Sequence, residues 1–201
     1  HFRPAQFYKE QHVRGKWVCD QCDTLTQQAM PAYVIDKGIA SPELLSHVLV
    51  SKYADHLPLY RQRLIYQRAG IELSRSTLSD WIGRCGVELE PLANALKQVV
   101  LQQRVIHADE TPVTIMRMGE DEKKPKKGYV WAYATTQYNP VQAVIYDFQD
   151  SRSGQHAEEF LKGWQGYLVC DDYSGYKARF KSGQVIEVGC MAHARRKFHE
   201  L

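Results

Sequence analysis

Val105-Ile106-His107-Ala108-Asp109-Glu110-Thr111-Pro112 carries a short apolar run into an acid and then into a proline. Such a run predicts a strand over 104–109, and Pro112 predicts the end of regular structure directly after it. Asp109 would then stand at the end of a rigid platform. Tyr167-Leu168-Val169-Cys170-Asp171-Asp172-Tyr173-Ser174-Gly175-Tyr176 repeats the arrangement 62 residues later, apolar residues again running into an aspartate. If the two strands lie side by side, both acids emerge at one edge of a sheet and can hold a divalent metal between them.

An aspartate at a strand end before a turn is often only a cap or turn residue. Two of them at matching strand ends favour the shared site. Glu110 and Asp172 are rivals, each one residue along, but pleat alternation sends neighbours to opposite faces. One acid of each pair is therefore expected to reach a metal, and Asp109 and Asp171 are favoured. Two carboxylates so close cannot both stay ionised without a cation. Mg²⁺ or Mn²⁺ suits such hard oxygen ligands, and two ions about 3.5–4 Å apart would serve an in-line phosphoryl displacement.

Around these stretches the segment 101–201 reads as strands and helices in a definite order. Further strands are predicted over 128–136 and 142–148, made a hairpin by the turn Tyr138-Asn139-Pro140. Residues 118–127, with Lys123, Lys124, Lys126 and Lys127, are predicted to be an exposed charged loop. A helix opens at Ser153 or Gly154 and runs to about Trp164, with His156, Phe160 and Leu161 on its buried side. A strand over 167–170, a short helix over 174–180, a strand over 185–188 and a helix from Ala192 complete the chain. Three strands, helix, strand, helix, strand, helix is the order of the ribonuclease H-like fold, in which the first and fourth strands are central neighbours. The expected class is α/β, with a mixed five-stranded sheet.

Upstream, residues 33–100 are predicted to be mostly helical. Ser41 caps a helix that has Pro42 in its first turn, Glu43 favoured by the helix dipole, and Leu44, Leu45, Val48 and Leu49 as its apolar face. A second helix starts near Pro58 and runs to Gly70. A third, from Ser74 or Ser76, turns Leu78, Trp81 and Ile82 inward and stops at Gly86, and Pro91 opens a fourth. The pair around Gly70 has the tight connection of a helix-turn-helix, which would make Arg75, Ser76 and Thr77 DNA-contacting residues. The plainer alternative is a helix pair that binds nothing.

Residues 1–32 hold Gly15-Lys16-Trp17-Val18-Cys19-Asp20-Gln21-Cys22, a strand entering a Cys-x-x-Cys turn. This suits a partial zinc-binding segment with Cys19 and Cys22 as ligands and His1 and His12 available upstream; a reduced pair without metal is the alternative. At the other end, Arg195, Arg196 and Lys197 cluster at the start of the last helix, either as phosphate contacts or as a solvated basic patch. Cys190 and His193 read as core residues rather than ligands.

The net charge of +3 is not concentrated in either half of the chain, so charge alone does not argue for nucleic acid. Five cysteines without a framework fit a reducing compartment. No apolar run reaches the roughly 18 residues needed to span a bilayer, and the first ten residues lack the apolar region of a signal, so a cytoplasmic location is expected.

Several long blocks carry a resemblance over essentially the whole chain. Leu49-Val50-Ser51-Lys52-Tyr53-Ala54-Asp55-His56-Leu57-Pro58-Leu59-Tyr60-Arg61-Gln62, Leu73-Ser74-Arg75-Ser76-Thr77-Leu78, His107-Ala108-Asp109-Glu110-Thr111-Pro112 and Ala192-His193-Ala194-Arg195-Arg196-Lys197-Phe198 resemble the transposases of the insertion-sequence-66 family. The resemblance implies a bacterial DNA transposase with an aspartate-aspartate-glutamate site on a ribonuclease H-like domain. It puts the first two acids on Asp109 and Asp171. Cys19 and Cys22 match the second cysteine pair of the family's zinc segment, and the first pair would lie before His1. The family's glutamate belongs beyond the Ala-His-Ala-Arg-Arg block, with Glu200 too early for it, so a fragment lacking both ends is expected. Its segments would be a partial zinc-binding segment over 1–32, a helical DNA-binding region over 33–100 and the truncated catalytic domain over 101–201. DNA, a second copy of the intact protein and accessory proteins of the same element are the implied partners. A two-acid fragment that only binds element ends and regulates transposition is the competing reading.

Overall fold

The computed structural model describes residues 6–115, 126–181 and 183–199, with the side chain of Lys197 also outside the described set. The chain divides into two compact units, His1–Glu90 and Pro91–Leu201. His1, Glu200 and most of the lysine-rich segment expected as a loop lie outside the described residues.

In the first unit a small antiparallel hairpin, β1 (Lys16–Val18) and β2 (Leu25–Gln27), is exposed along both strands. Three helices follow: α1 (Pro42–Tyr53), α2 (Leu59–Arg68) and α3 (Arg75–Leu101). Ser41 accepts the Leu44 N–H at the start of α1, as its sequence predicts. Leu45, Val48, Tyr66, Leu78, Trp81 and Cys85 form the core between these helices. Gln62 lies wholly inside it, its amide donating to the Val48 and Leu57 carbonyls and accepting from the Tyr66 hydroxyl.

The third and fourth predicted helices are one element. Neither Gly86 nor Pro91 ends α3, which carries the proline in its interior. Leu78, Trp81 and Cys85 pack into the first core and Val100 into the second, and this burial outweighs the propensity cost of both residues.

The second unit is a five-stranded mixed sheet with helices, compatible with a ribonuclease H-like domain. Its strands are β3 (Val105–Ile115), β4 (Lys126–Thr135), β5 (Val144–Gln149), β6 (Gly166–Cys170) and β7 (Val185–Gly189), in the order β5-β4-β3-β6-β7. The pairs β3–β4 and β4–β5 are antiparallel, while β3–β6 and β6–β7 are parallel. The remaining elements are α4 (Gly154–Phe160), a 3₁₀ turn over Ser174–Tyr176, α5 (Lys177–Phe180) and α6 (Met191–His199).

Ile106, Ala108, Trp131, Tyr133, Phe160, Leu161, Leu168 and Tyr176 build the core on one sheet face, with the Tyr133 and Phe160 rings stacked at 3.7 Å. The helix expected to reach Trp164 stops at Phe160, and Gly163 takes a positive φ of 76° soon after. Lys126 and Lys127 belong to β4 rather than to a loop, and Lys126 pairs with Asp150 at 2.6 Å.

Candidate active site

Asp109 lies in the interior of β3, because the strand continues through Pro112 to Ile115. The expectation of a strand end there is corrected. Beyond His107 no β6 residue pairs with β3, so Pro112 lies where only β4 flanks it and a missing N–H on the open side is tolerated. Asp171 directly follows β6. The parallel register sets Val105 opposite Tyr167, Ile106 opposite Leu168 and His107 opposite Val169. Asp109 and Asp171 each follow two residues after that last pair, on neighbouring central segments of the sheet.

Alternation along the strands separates these acids from the core. Ile106, Ala108 and Glu110 are buried, whereas His107 and Asp109 are exposed. Leu168 and Cys170 are buried, and Asp171 is half-buried. Each carboxylate accepts one nearby backbone N–H through Oδ1: Asp109 from Glu110 at 2.9 Å, and Asp171 from Tyr173 at 3.0 Å. The second contact fixes Asp171 in a turn.

The two rival acids lie elsewhere. Asp172 is exposed and pairs with Lys177 at 2.7 Å, and the same lysine reaches Glu187 at 2.5 Å. Glu110 is on the core face with its side chain 1% exposed, and it receives Arg152 Nε at 2.9 Å, Arg152 Nη2 at 2.5 Å and the Tyr176 hydroxyl at 2.8 Å. The Arg152 pKa is raised, chiefly by its hydrogen bond to Glu110. Among the described residues no group of three or more His, Cys, Asp or Glu side chains could hold a metal ion. The carboxylates of Asp109 and Asp171 are hard oxygen donors, the kind that Mg²⁺ or Mn²⁺ takes.

Residues 37–201 match the model of the IS66 family of transposases. The chain belongs to this family. It is similar to the uncharacterized protein y4qI of Sinorhizobium fredii, with 39% identity over 199 residues, which is 94% of this chain and 36% of that protein. The uncharacterized protein y4jD of the same organism is 36% identical over 206 residues, 97% of this chain and 40% of its own length. A third similar protein, the uncharacterized y4hP, is 32% identical and is covered over 37% of its length. The chain therefore spans two fifths or less of these relatives.

Elsewhere in this IS66-family chain, Cys19 directly follows β1 and Cys22 lies in the turn of the β1–β2 hairpin, both exposed and free of disulfides. The Cys19 N–H donates to the Thr24 carbonyl at 3.0 Å, and the Asp23 N–H to the Cys19 carbonyl at 2.9 Å, closing the turn with Asp23 at a positive φ of 52°. The Cys22 pKa is lowered, first by its hydrogen bond with the Thr24 hydroxyl. His12 stacks edge-on against Tyr33 and lies 3.8 Å from Glu10.

At the start of α3, Arg75 and Ser76 are exposed and Thr77 is half-buried. The Ser76 and Thr77 hydroxyls both contact Ser74, whose oxygen also accepts the Thr77 N–H as the cap of α3. Arg195 and Arg196 are exposed on α6. Cys190 and His193 are half-buried, and the His193 N–H donates to the Cys190 carbonyl. Sequence reasoning missed Arg152, Tyr173 and Tyr176. No local pattern marks them, because what joins them to Glu110 is contact across 42 and 66 residues of chain.

Proposed function

We propose that this chain is part of a DNA transposase in which Asp109 and Asp171 are two acids of a metal-dependent phosphoryl-transfer site. The reaction is cleavage of the insertion element's ends and their joining to target DNA. The observation that carries this reading is the parallel register of β3 and β6, whose last pair, His107 and Val169, stands two residues before Asp109 and Asp171 respectively, in a chain of the IS66 family. Asp109 and Asp171 would be the ligands of Mg²⁺ or Mn²⁺, which when bound supplies positive charge to activate an attacking oxygen and stabilise a leaving one. Their backbone N–H contacts, from Glu110 and Tyr173, orient the carboxylates.

Cys19 and Cys22 would supply two zinc ligands. Both strands of their hairpin are exposed, and an isolated two-stranded hairpin is marginal in water without such a clasp. Arg75, Ser76 and Thr77, together with Arg195, Arg196 and Lys197, would contact DNA, chiefly phosphate. The intact protein would act as a dimer on paired element ends, with accessory proteins of the element as further partners.

Asp109→Asn and Asp171→Asn in the full-length protein should each abolish Mg²⁺-dependent strand cleavage of element-end DNA and leave binding of that DNA within about twofold. Wild-type cleavage by Asp109→Asn would sink the assignment. Binding of element ends without metal-dependent nicking by the unaltered protein would favour the regulatory reading instead.

A further inference from the structure

We infer that Glu110 is a positioning residue that holds the two aspartates in register through Arg152, Tyr173 and Tyr176, which rests on the reading of Asp109 and Asp171 as metal ligands. The last paired residues of the β3–β6 ladder are His107 and Val169, so both aspartates lie beyond the final rung. Something other than the ladder must fix their separation. On the opposite face of β3, one residue past Asp109, Glu110 makes the missing connection: its Oε2 accepts the Tyr176 hydroxyl at 2.8 Å, which ties β3 to the turn that follows β6.

Its other oxygen makes a second connection. Oε1 accepts both Nε and Nη2 of Arg152, from the loop between β5 and α4. The Arg152 guanidinium lies 3.9 Å from the centre of the Tyr173 ring, and the Tyr173 hydroxyl donates to the Arg152 carbonyl. Tyr173 in turn gives its N–H to Asp171, just as Glu110 gives its own N–H to Asp109. Both carboxylates are thus oriented by residues of one network, and the Trp131 ring packs against Tyr173 and Tyr176 behind it.

A carboxylate with a side chain 1% exposed is costly to bury, and the cost is offset only by full pairing of the kind seen here. An apolar residue would fill the same space without that requirement. What a charged, fully bonded side chain adds is direction, since it specifies the positions of three separate segments at once. Residues that orient metal ligands from behind commonly change metal affinity by about 10- to 100-fold when altered.

The test uses the full-length protein with Mn²⁺ as the probe, bound Mn²⁺ being followed by electron paramagnetic resonance and cleavage by nicking of element-end DNA. Glu110→Gln and Tyr176→Phe should retain the far-ultraviolet circular dichroism of the wild type. Each should weaken Mn²⁺ binding by about tenfold, with cleavage recovering towards the wild-type rate at saturating Mn²⁺. Arg152→Lys, which keeps the charge but loses the fork, should fall between them and the wild type.

Wild-type Mn²⁺ affinity in both Glu110→Gln and Tyr176→Phe would overturn the inference, as would lower stability with unmoved affinity, the mark of a purely structural role. Should Glu110→Gln fail to fold, Tyr176→Phe decides alone, since it removes a single hydroxyl. Asp109→Asn separates the two levels of argument. If it too keeps wild-type Mn²⁺ binding and cleavage, the acid pair itself has been misread, whereas its failure beside intact Glu110 variants refutes only the positioning role.

Discussion

Asp109 and Glu110 are neighbours in sequence and opposites in environment, one exposed and the other sealed against Arg152 and Tyr176. The pleat makes this unavoidable once Ile106 and Ala108 face the core. Gln62 shows what a buried polar side chain does when no site is involved. Its amide bridges α1, the Leu57 carbonyl and Tyr66, leaving none of those three groups to water. Gln62→Leu keeps the volume and strands the Leu57 carbonyl and the Tyr66 hydroxyl, so it should lower the unfolding free energy by about 2–4 kcal/mol, read from the urea midpoint. A midpoint equal to wild type would mean that those bonds contribute nothing net. The two kinds of polar residue differ in how well they show in the sequence. The exposed setting of Asp109 and the place of Asp171 directly after β6 follow from local runs of sequence. The settings of Gln62 and Arg152 do not, since nothing near them in sequence specifies Tyr66 or Glu110 as partner.

Elements were legible wherever periodicity was strong and misread wherever a single breaker was given too much weight. The strands of the sheet and the hairpin at 138–140 follow from alternation and turn chemistry, and the sheet order follows from the order of elements. Pro112 and Pro91 misled for one reason: a proline breaks an element only where its missing N–H has a partner to lose or its ring has no room. Glycine gave the converse error at Gly86, where a Cβ would meet nothing within 4 Å and the residue simply sits in the helix.

Gly154 is different. A Cβ there would lie 2.5 Å from the Gly175 carbonyl oxygen and 2.8 Å from its Cα, so the first turn of α4 rests backbone to backbone on the turn after β6. That contact keeps Arg152 and Tyr173 within reach of one another. Gly154→Ala should therefore cost about 1–3 kcal/mol of stability as overpacking does and also slow cleavage. Thermal unfolding and a nicking assay on one preparation would show both. Full cleavage by a destabilised variant would uncouple the contact from the site.

Each unit has its own buried aromatic core, and these cores set how the molecule responds to alkali. Burial raises the pKa of Tyr66 in the first unit and of Tyr133 and Tyr176 in the second, and it pushes the Cys170 thiol up to about 12. All four groups are acids whose folded values exceed their unfolded ones, near 8.5 for cysteine and about 10 for tyrosine. The folded state therefore binds more protons than the unfolded state above those values, and stability falls as pH rises through that window. Below about pH 8 the effect is absent. Tyr133 isolates the cause, because its hydroxyl meets no hydrogen-bond partner among the described residues while its ring is held by the stack on Phe160. Tyr133→Phe should match or slightly exceed wild-type stability at pH 7 and decline less steeply above pH 10. The difference should grow by up to about 1.4 kcal/mol per pH unit. Urea unfolding at pH 7 and pH 11, followed by far-ultraviolet circular dichroism, measures it. Parallel declines in the two proteins would show that the Tyr133 hydroxyl ionises without cost to the fold, and would leave Tyr176 and Cys170 as the groups that make the sheet core sensitive to base.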